Sequence, residues 1–133
     1  FASYEQSKNA YLYEFLGNSK GQITQTWGTP EKVAISAEGY VVWYYTYKLD
    51  VIRTFYFYGS HVEMTGSIVF INDYSYAKEV WLGLATLFEA KGFWLVDKDL
   101  KAGLMTITNG IAFIDARIVE NRNNYSISLL AYR

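Results

Sequence analysis

Two segments in which aromatic residues alternate along the chain, residues 40–48 and 52–58, limit the fold most strongly. A repeat of two residues is the repeat of a β-strand, whose successive side chains point to opposite faces of a sheet. The second segment also separates its rings by type, with Phe55 and Phe57 on one face and Tyr56 and Tyr58 on the other. We therefore expect a sheet in this region, in which the second segment has phenylalanine on one face and tyrosine on the other, while the first segment has tyrosines on both faces.

The composition indicates a folded chain with a real core. Of the 133 residues, 51% are hydrophobic and 19% are charged, and Pro30 is the only proline. Disordered chains lack this amount of apolar surface, so a disordered or low-complexity protein is excluded. Twelve Lys and Arg balance thirteen Asp and Glu without a basic cluster. Because nucleic-acid binding depends on clustered positive charge, we expect no nucleic-acid partner.

Three segments carry helical signals. Apolar residues at three- and four-residue spacings predict a helix over residues 3–16. Ser19, or alternatively Asn18, is expected to cap a second, short helix that runs to Trp27 and is ended by residues 28–30. A longer central helix is predicted over residues 76–91, whose apolar positions share one face.

The remaining patterned segments predict strands at residues 32–36, 66–72, 93–96, 104–108, 111–119 and 125–132. This element order indicates the α+β class: short N-terminal helices and one longer central helix packed on an antiparallel meandering sheet or sheets. No Pro-, Gly- or Ser-rich linker divides the chain. We expect a single domain over residues 1–133, with residues 1–73 and 74–133 as possible subdomains.

No catalytic or metal-binding pattern is recognisable. The chain has no cysteine, which excludes zinc–thiolate sites and thiol nucleophiles. His61 is the only histidine, and nothing indicates an Asp–His–Ser arrangement around it. Asp97 and Asp99 are interleaved with Lys98, which opposes cation binding, so this segment is interpreted as a solvated turn. We therefore predict a protein that is not an enzyme and has no cofactor and no metal site.

The tyrosines offer a different kind of site. If the phenylalanines pack beneath the helices, Tyr44, Tyr56 and Tyr58 lie on the solvent side of the sheet. Tyrosine provides a large, rigid contact area with a polar tip, which suits protein recognition. The ordinary alternative is that tyrosine occurs here because it fits a pleated, half-buried surface. A carbohydrate-binding domain that uses the tyrosines as a stacking platform is a further alternative.

The most specific string in the chain spans residues 17–30. Its characteristic residues are Gly17, Ser19, Lys20, Ile23, Trp27, Gly28 and Pro30. Together with the aromatic hairpin that follows, this string resembles the BamE-like (SmpA/OmlA) module of outer-membrane lipoproteins, which is similar to half of the β-lactamase inhibitor protein fold. The resemblance covers about residues 15–72 only.

The resemblance implies a bacterial envelope protein, periplasmic or anchored at the outer membrane. Its only membrane attachment would be a lipid-bearing cysteine upstream of Phe1. We accordingly expect a non-enzymatic, exported envelope domain that binds another protein through its aromatic sheet surface or its hairpin loops. The alternative is an inhibitor or immunity protein that blocks a partner enzyme, with residues 37–39 or 97–103 as its candidate loops.

Overall fold

Eight antiparallel strands form one sheet in the computed structural model, which describes residues 7, 8 and 10–133. The strands are β1 Lys32–Ile35, β2 Val41–Lys48, β3 Val51–Tyr58, β4 His61–Ile71, β5 Trp94–Asp99, β6 Leu104–Thr108, β7 Phe113–Glu120 and β8 Tyr125–Tyr132. Their order across the sheet is β1-β2-β3-β4-β8-β7-β6-β5. The strands β1 and β5 are therefore the two edges of the sheet.

The pairing of β4 with β8 joins the two halves of the chain. Its register runs from Met64 opposite Tyr132 to Ile71 opposite Tyr125. On either side of this pair the strands follow one another as a meander, β1 to β4 and β5 to β8. Both possible subdomains thus contribute strands to the same sheet, while the single domain over residues 1–133 stays a prediction.

The first α-helix, α1, spans Lys20–Trp27 and has the ends that the sequence predicts. The Ser19 side chain accepts a hydrogen bond from the backbone N–H of Gln22 at 3.1 Å, and the Gln22 side chain accepts one from the Ser19 N–H at 2.8 Å. This reciprocal pair satisfies N–H groups that have no partner within the helix. Gly28 ends α1 with a φ of 79°, a value that favours glycine.

The second α-helix, α2, spans Tyr74–Glu89 and begins at Asp73, whose side chain accepts from the Tyr76 N–H at 3.0 Å. It buries one face, made of Ala77, Trp81, Leu84 and Phe88. The Trp81 indole N–H donates to the carbonyl of Ala116 in β7 at 3.0 Å, so burial of this ring leaves its polar atom satisfied. Among the described residues, no helix has the length and apolarity needed to cross a bilayer.

Both α-helices, together with a 3₁₀ helix at Leu12–Phe15, pack on one side of the sheet, which we call the covered face. The centre of this core is aromatic. The ring of Phe15 lies 5.7 Å from that of Phe55, and the ring of Trp27 lies 5.5 Å from the same residue. The opposite side of the sheet is called the open face.

The predicted fold class is wrong in its balance of helix and sheet. Strands make up 47% of the described residues and helices 22%, and the strands form one sheet of eight. The helix expected over residues 3–16 is reduced, in its described part, to the short 3₁₀ helix, while residues 1–6 and 9 lie outside the described residues. The protein is therefore sheet-dominated and does not have the expected layout of short N-terminal helices and one longer central helix.

Physical reasons explain both errors. Tyr11 and Tyr13 pack edge-on against Phe88 and Phe93, with ring centroids 5.0 and 4.9 Å apart, so their apolar spacing serves contacts with the body of the protein and not a helical face. On the strand side, β5 extends to Asp99, where a solvated turn was expected. Edge strands often carry charged side chains, which discourage pairing with a further strand. The charged residues of β5 therefore give this strand the composition of a loop.

Candidate functional site

The strand β3 shows how the two faces of the sheet differ. Phe55 and Phe57 point to the covered face and are 0% and 1% exposed. Between and after them, Tyr56 is half-buried on the open face and Tyr58 is 74% exposed. The alternation of the sequence thus places the two ring types on opposite sides of the sheet, as expected.

Four tyrosines cluster on the open face at the β2 and β3 strands, and we call them the tyrosine surface: Tyr40, Tyr44, Tyr56 and Tyr58. The ring of Tyr40 lies 6.3 Å from that of Tyr56 and also 6.3 Å from that of Tyr58, both edge-on. Tyr44 on β2 pairs with Thr54 on β3, and Tyr56 lies two residues further along β3 on the same face. The structure therefore links two of the predicted tyrosines, Tyr56 and Tyr58, through Tyr40, which was not among the predicted site residues. The third, Tyr44, lies on the same face of the neighbouring strand.

The backbone of Gly66 in β4 lies close to the side chains of Thr54 and Tyr56. A Cβ at Gly66 would collide with the Thr54 hydroxyl and would lie 3.6 Å from Cε1 of Tyr56. Burial raises the pKa of Tyr56, while a hydrogen bond with Thr54 acts in the opposite direction. Tyr56 consequently forms the base of the tyrosine surface, and Tyr58 forms its exposed part.

Charged and polar groups surround these rings. The ammonium of Lys32 in β1 lies 5.2 Å from the centre of the Tyr44 ring, a cation–π contact. His61 pairs with Tyr58 across the β3–β4 turn, and its Nδ1 lies 2.9 Å from the Ser60 hydroxyl. The sole histidine is thus the first residue of a strand, beside the tyrosine surface.

The aromatic lining of the open face continues on β7 and β8, which the predicted site did not include. The rings of Phe113 and Tyr132 stack with centroids 5.7 Å apart and planes at 16°. The carboxylate of Asp115 accepts from the Thr106 hydroxyl at 2.8 Å and from the Tyr132 hydroxyl at 3.2 Å. The sequence could not show this extension, because it depends on the pairing of β7 with β8.

The residues of the string at 17–30 have structural roles, and the start of the string lies at the β3–β4 turn, where Ser19 forms a β-bridge with His61. Ser19 and Gly28 begin and end α1, and Ile23 and Trp27 are buried in the core. Gly17 has a φ of 84°, where a side chain is strained. Lys20 is the first residue of α1, and its ammonium lies 5.6 Å from the centre of the Phe57 ring. Pro30 precedes β1.

The two candidate loops of an inhibitor lie in different places. The turn at residues 37–39 joins β1 to β2 and leads directly into Tyr40 of the tyrosine surface. The segment at residues 97–103 includes the end of β5, at the opposite edge of the sheet. Asp99 there accepts from the N–H of Ala102 at 3.0 Å, which stabilises a turn. Within the described part of the chain, no three Asp, Glu or His side chains form a group that could hold a metal ion.

No family model matches the sequence, and no curated protein matches it. The structure is similar to the crystal structure of an extracellular protein containing a SCP domain from Bacillus anthracis, with a TM-score of 0.58 and 9% sequence identity. The match covers 98% of this chain and 48% of the other, so the chain spans about half the length of that protein. At this identity the similarity shows the fold alone.

The resemblance of residues 15–72 to the BamE-like module is wrong. The fold matches an extracellular SCP-domain protein along nearly the whole chain, and a sheet of eight strands differs from the BamE-like α+β fold. The string at residues 17–30 describes a capped short helix followed by a hairpin, a local structure that different folds can contain. The lipid anchor and the periplasmic or outer-membrane location depended on this resemblance and lose their support.

Proposed function

We propose that this chain is an exported, non-enzymatic domain that binds another protein through the tyrosine surface. The observation that carries the proposal is the position of Tyr58, which is 74% exposed at the edge of a cluster of four tyrosines. Exposed tyrosines contribute large contact areas at low entropic cost, and they are enriched where proteins bind one another.

The shape and charge of the surroundings favour a protein partner. The rings lie on neighbouring strands of a sheet, which offers a broad surface, and the turn at residues 37–39 extends beside them. The chain carries a net charge of −1 without a basic cluster, which disfavours nucleic acid. Export is supported by the extracellular protein that shares the fold.

The test replaces Tyr44, Tyr56 and Tyr58 singly with Ser and measures which extracellular proteins each variant retains, by quantitative mass spectrometry. Tyr76→Ser is the matched control, since Tyr76 is a similarly exposed tyrosine on α2, on the other side of the sheet. We expect Tyr58→Ser to lose a partner that the control keeps. Equal retention by both variants contradicts the proposal. So does a loss of more than about 2 kcal/mol in stability with binding unchanged, which indicates core packing.

An inhibitor of a partner enzyme is the second candidate, favoured by the position of the turn at residues 37–39. These three residues are exposed, and the turn adjoins the tyrosine surface. An inhibitor would insert this turn into the partner's active site while the tyrosines contact its rim. Once a partner is captured, Glu38→Lys distinguishes the two candidates: lost inhibition with retained binding supports an inhibitor, and unchanged inhibition opposes an inserted turn.

A further inference from the structure

A cavity on the covered face forms a second site, separate from the tyrosine surface. It has a volume of about 350 Å³ and lies between the 3₁₀ helix, the C-terminal half of α2 and the strands beneath. Leu84, Leu87 and Phe88 of α2 form one wall, and Leu129 of β8 faces them from the sheet. Its volume lies within the range of about 300 to 1,000 Å³ that is usual for small-molecule sites.

The floor of the cavity contains a buried hydroxyl without a partner. Thr65 lines the cavity and is 0% exposed, and its hydroxyl makes no hydrogen bond with any described residue. A buried polar group that is left unpaired costs about 1 to 3 kcal/mol. A ligand that forms a hydrogen bond with this hydroxyl would remove that cost. The unpaired Thr65 hydroxyl therefore favours a ligand with a polar group.

Two cationic side chains line the same cavity. Arg53 lies directly opposite Ser67 in the β3–β4 register, and Thr65 follows two residues along β4 on the same face. Lys48 also contributes to the lining, and the described lining residues include no Asp or Glu. The cavity therefore combines apolar walls with a positively charged, hydroxyl-bearing floor.

Arg53 is held in place but is incompletely satisfied. Its guanidinium stacks 3.9 Å from the centre of the Tyr47 ring, and its Nη1 donates to the carbonyl of Lys8 at 3.0 Å. Its Nε is buried without a hydrogen-bond partner among the described residues. Burial lowers the pKa of Arg53, although an arginine remains charged at neutral pH. A cation in this position gains from an anion that enters the cavity.

We propose that this cavity binds a linear apolar molecule with one carboxylate, such as a medium-chain fatty acid. The carboxylate accepts hydrogen bonds from Arg53 Nε and from the Thr65 hydroxyl, and the alkyl chain lies against Leu84, Leu87 and Phe88. Hydrogen bonds to a charged group are shorter and stronger than neutral ones. The binding of such a molecule would satisfy both unpaired donors at once.

The test is a calorimetric titration of the full chain with decanoate, decanol and decylammonium. The two ionic compounds are kept below their critical micelle concentrations, and decanol is kept below its solubility limit. We expect decanoate to bind at least about tenfold more tightly than decanol, the gain expected from hydrogen bonds to a charged group, and decylammonium to bind most weakly. Thr65→Val and Arg53→Met should each weaken decanoate binding, the second by about tenfold or more, and leave decanol binding nearly unchanged. Thr54→Val is the matched control, because Thr54 is a buried threonine on the open face of the sheet.

A second measurement keeps the proposal testable if Arg53→Met does not fold. Decanoate titrated into the unchanged protein should shift the methyl resonances of Leu84, Leu87 and Leu129, which line the cavity. Equal affinities for decanoate and decanol, or methyl shifts confined to other residues, would overturn carboxylate recognition at this site. No saturable binding at millimolar decanoate would overturn the proposal as a whole.

Discussion

The covered and open faces of the sheet are made by the same strands, yet they use aromatic residues in different ways. On the covered face, Phe55 and Phe57 are buried beneath helices. On the open face, Tyr56 and Tyr58 alternate with them and retain contact with solvent. A phenol tolerates water at its tip, whereas a phenyl ring has no polar atom to expose. In β3, the difference of one hydroxyl group per residue therefore fits each ring to its face.

Tyr45 is an exception that shows the same principle. It lies on the covered face and is buried, but its hydroxyl donates to the carbonyl of Gly28 at 2.8 Å. That carbonyl lies at the end of α1, where backbone acceptors lack partners within the helix. A tyrosine can thus be buried in the core where its hydroxyl has a hydrogen-bond acceptor within reach. The comparison predicts that substitutions on the covered face affect stability, while exposed positions of the open face affect binding.

The largest expected effect on stability is at Phe57, and its neighbour Tyr58 on the opposite face provides the comparison. Phe57→Ala should lower the free energy of unfolding by about 3 to 5 kcal/mol, because it removes a fully buried ring from the core. Tyr58→Ala, at the next position, should change it by no more than about 0.5 kcal/mol. Urea unfolding followed by circular dichroism measures both. Similar losses in the two variants would mean that the faces are not distinct.

A smaller effect is expected at Gly66, which tests how the tyrosine surface is built. Gly66→Ala should cost about 1 to 3 kcal/mol, because the added methyl group collides with the Thr54 hydroxyl, which forms a hydrogen bond with Tyr56. Gly83→Ala is the matched control: its Cβ would meet no atom within 4 Å and it lies within α2. Alanine is favoured over glycine in a helix, so this control should stabilise the protein by about 0.5 to 1 kcal/mol. If both variants are stabilised, the space beside Thr54 does not require a glycine at position 66.

Local signals in the sequence were sufficient for some elements. The Ser19 cap and the Gly28 stop of α1 lie within a few residues of the helix that they delimit, so the sequence specifies them directly. The separation of Phe55 from Tyr56 follows from the repeat of two in the same way. These predictions needed no knowledge of which strands pair.

Predictions that depend on distant contacts could not be made. The pairing of β4 with β8 joins residues far apart in the sequence, from Met64 with Tyr132 to Ile71 with Tyr125, and no local pattern encodes it. The continuation of the aromatic open face to Tyr132, and the cavity over Thr65, both result from that pairing. The BamE-like resemblance was wrong for the same reason, since it was based on a short local string. Sequence patterns therefore predicted several elements and one face of the site, but neither the single sheet nor the cavity.

The smallest expected effect concerns Tyr45 and depends on pH. Near neutral pH, Tyr45→Phe should cost about 1 kcal/mol, the usual net value of a hydrogen bond such as the one to Gly28. Burial raises the pKa of Tyr45 to about 12. An unfolded tyrosine has a pKa of about 10, so the unfolded chain releases this proton first as the pH rises.

The stability contribution of Tyr45 is therefore complete below about pH 10 and is lost as the pH rises through the folded-state pKa. Urea unfolding of both proteins at several pH values between neutral and strongly alkaline measures the difference. We expect the advantage of the natural protein over Tyr45→Phe to shrink above about pH 10, because phenylalanine cannot ionise. Tyr58→Phe, at an exposed position of the open face, serves as the control and should show little change in its difference from the natural protein. A constant difference in stability between the natural protein and Tyr45→Phe across the pH range would show that the Tyr45 hydroxyl is not buried. The explanation given above for a tyrosine on the covered face would then be wrong.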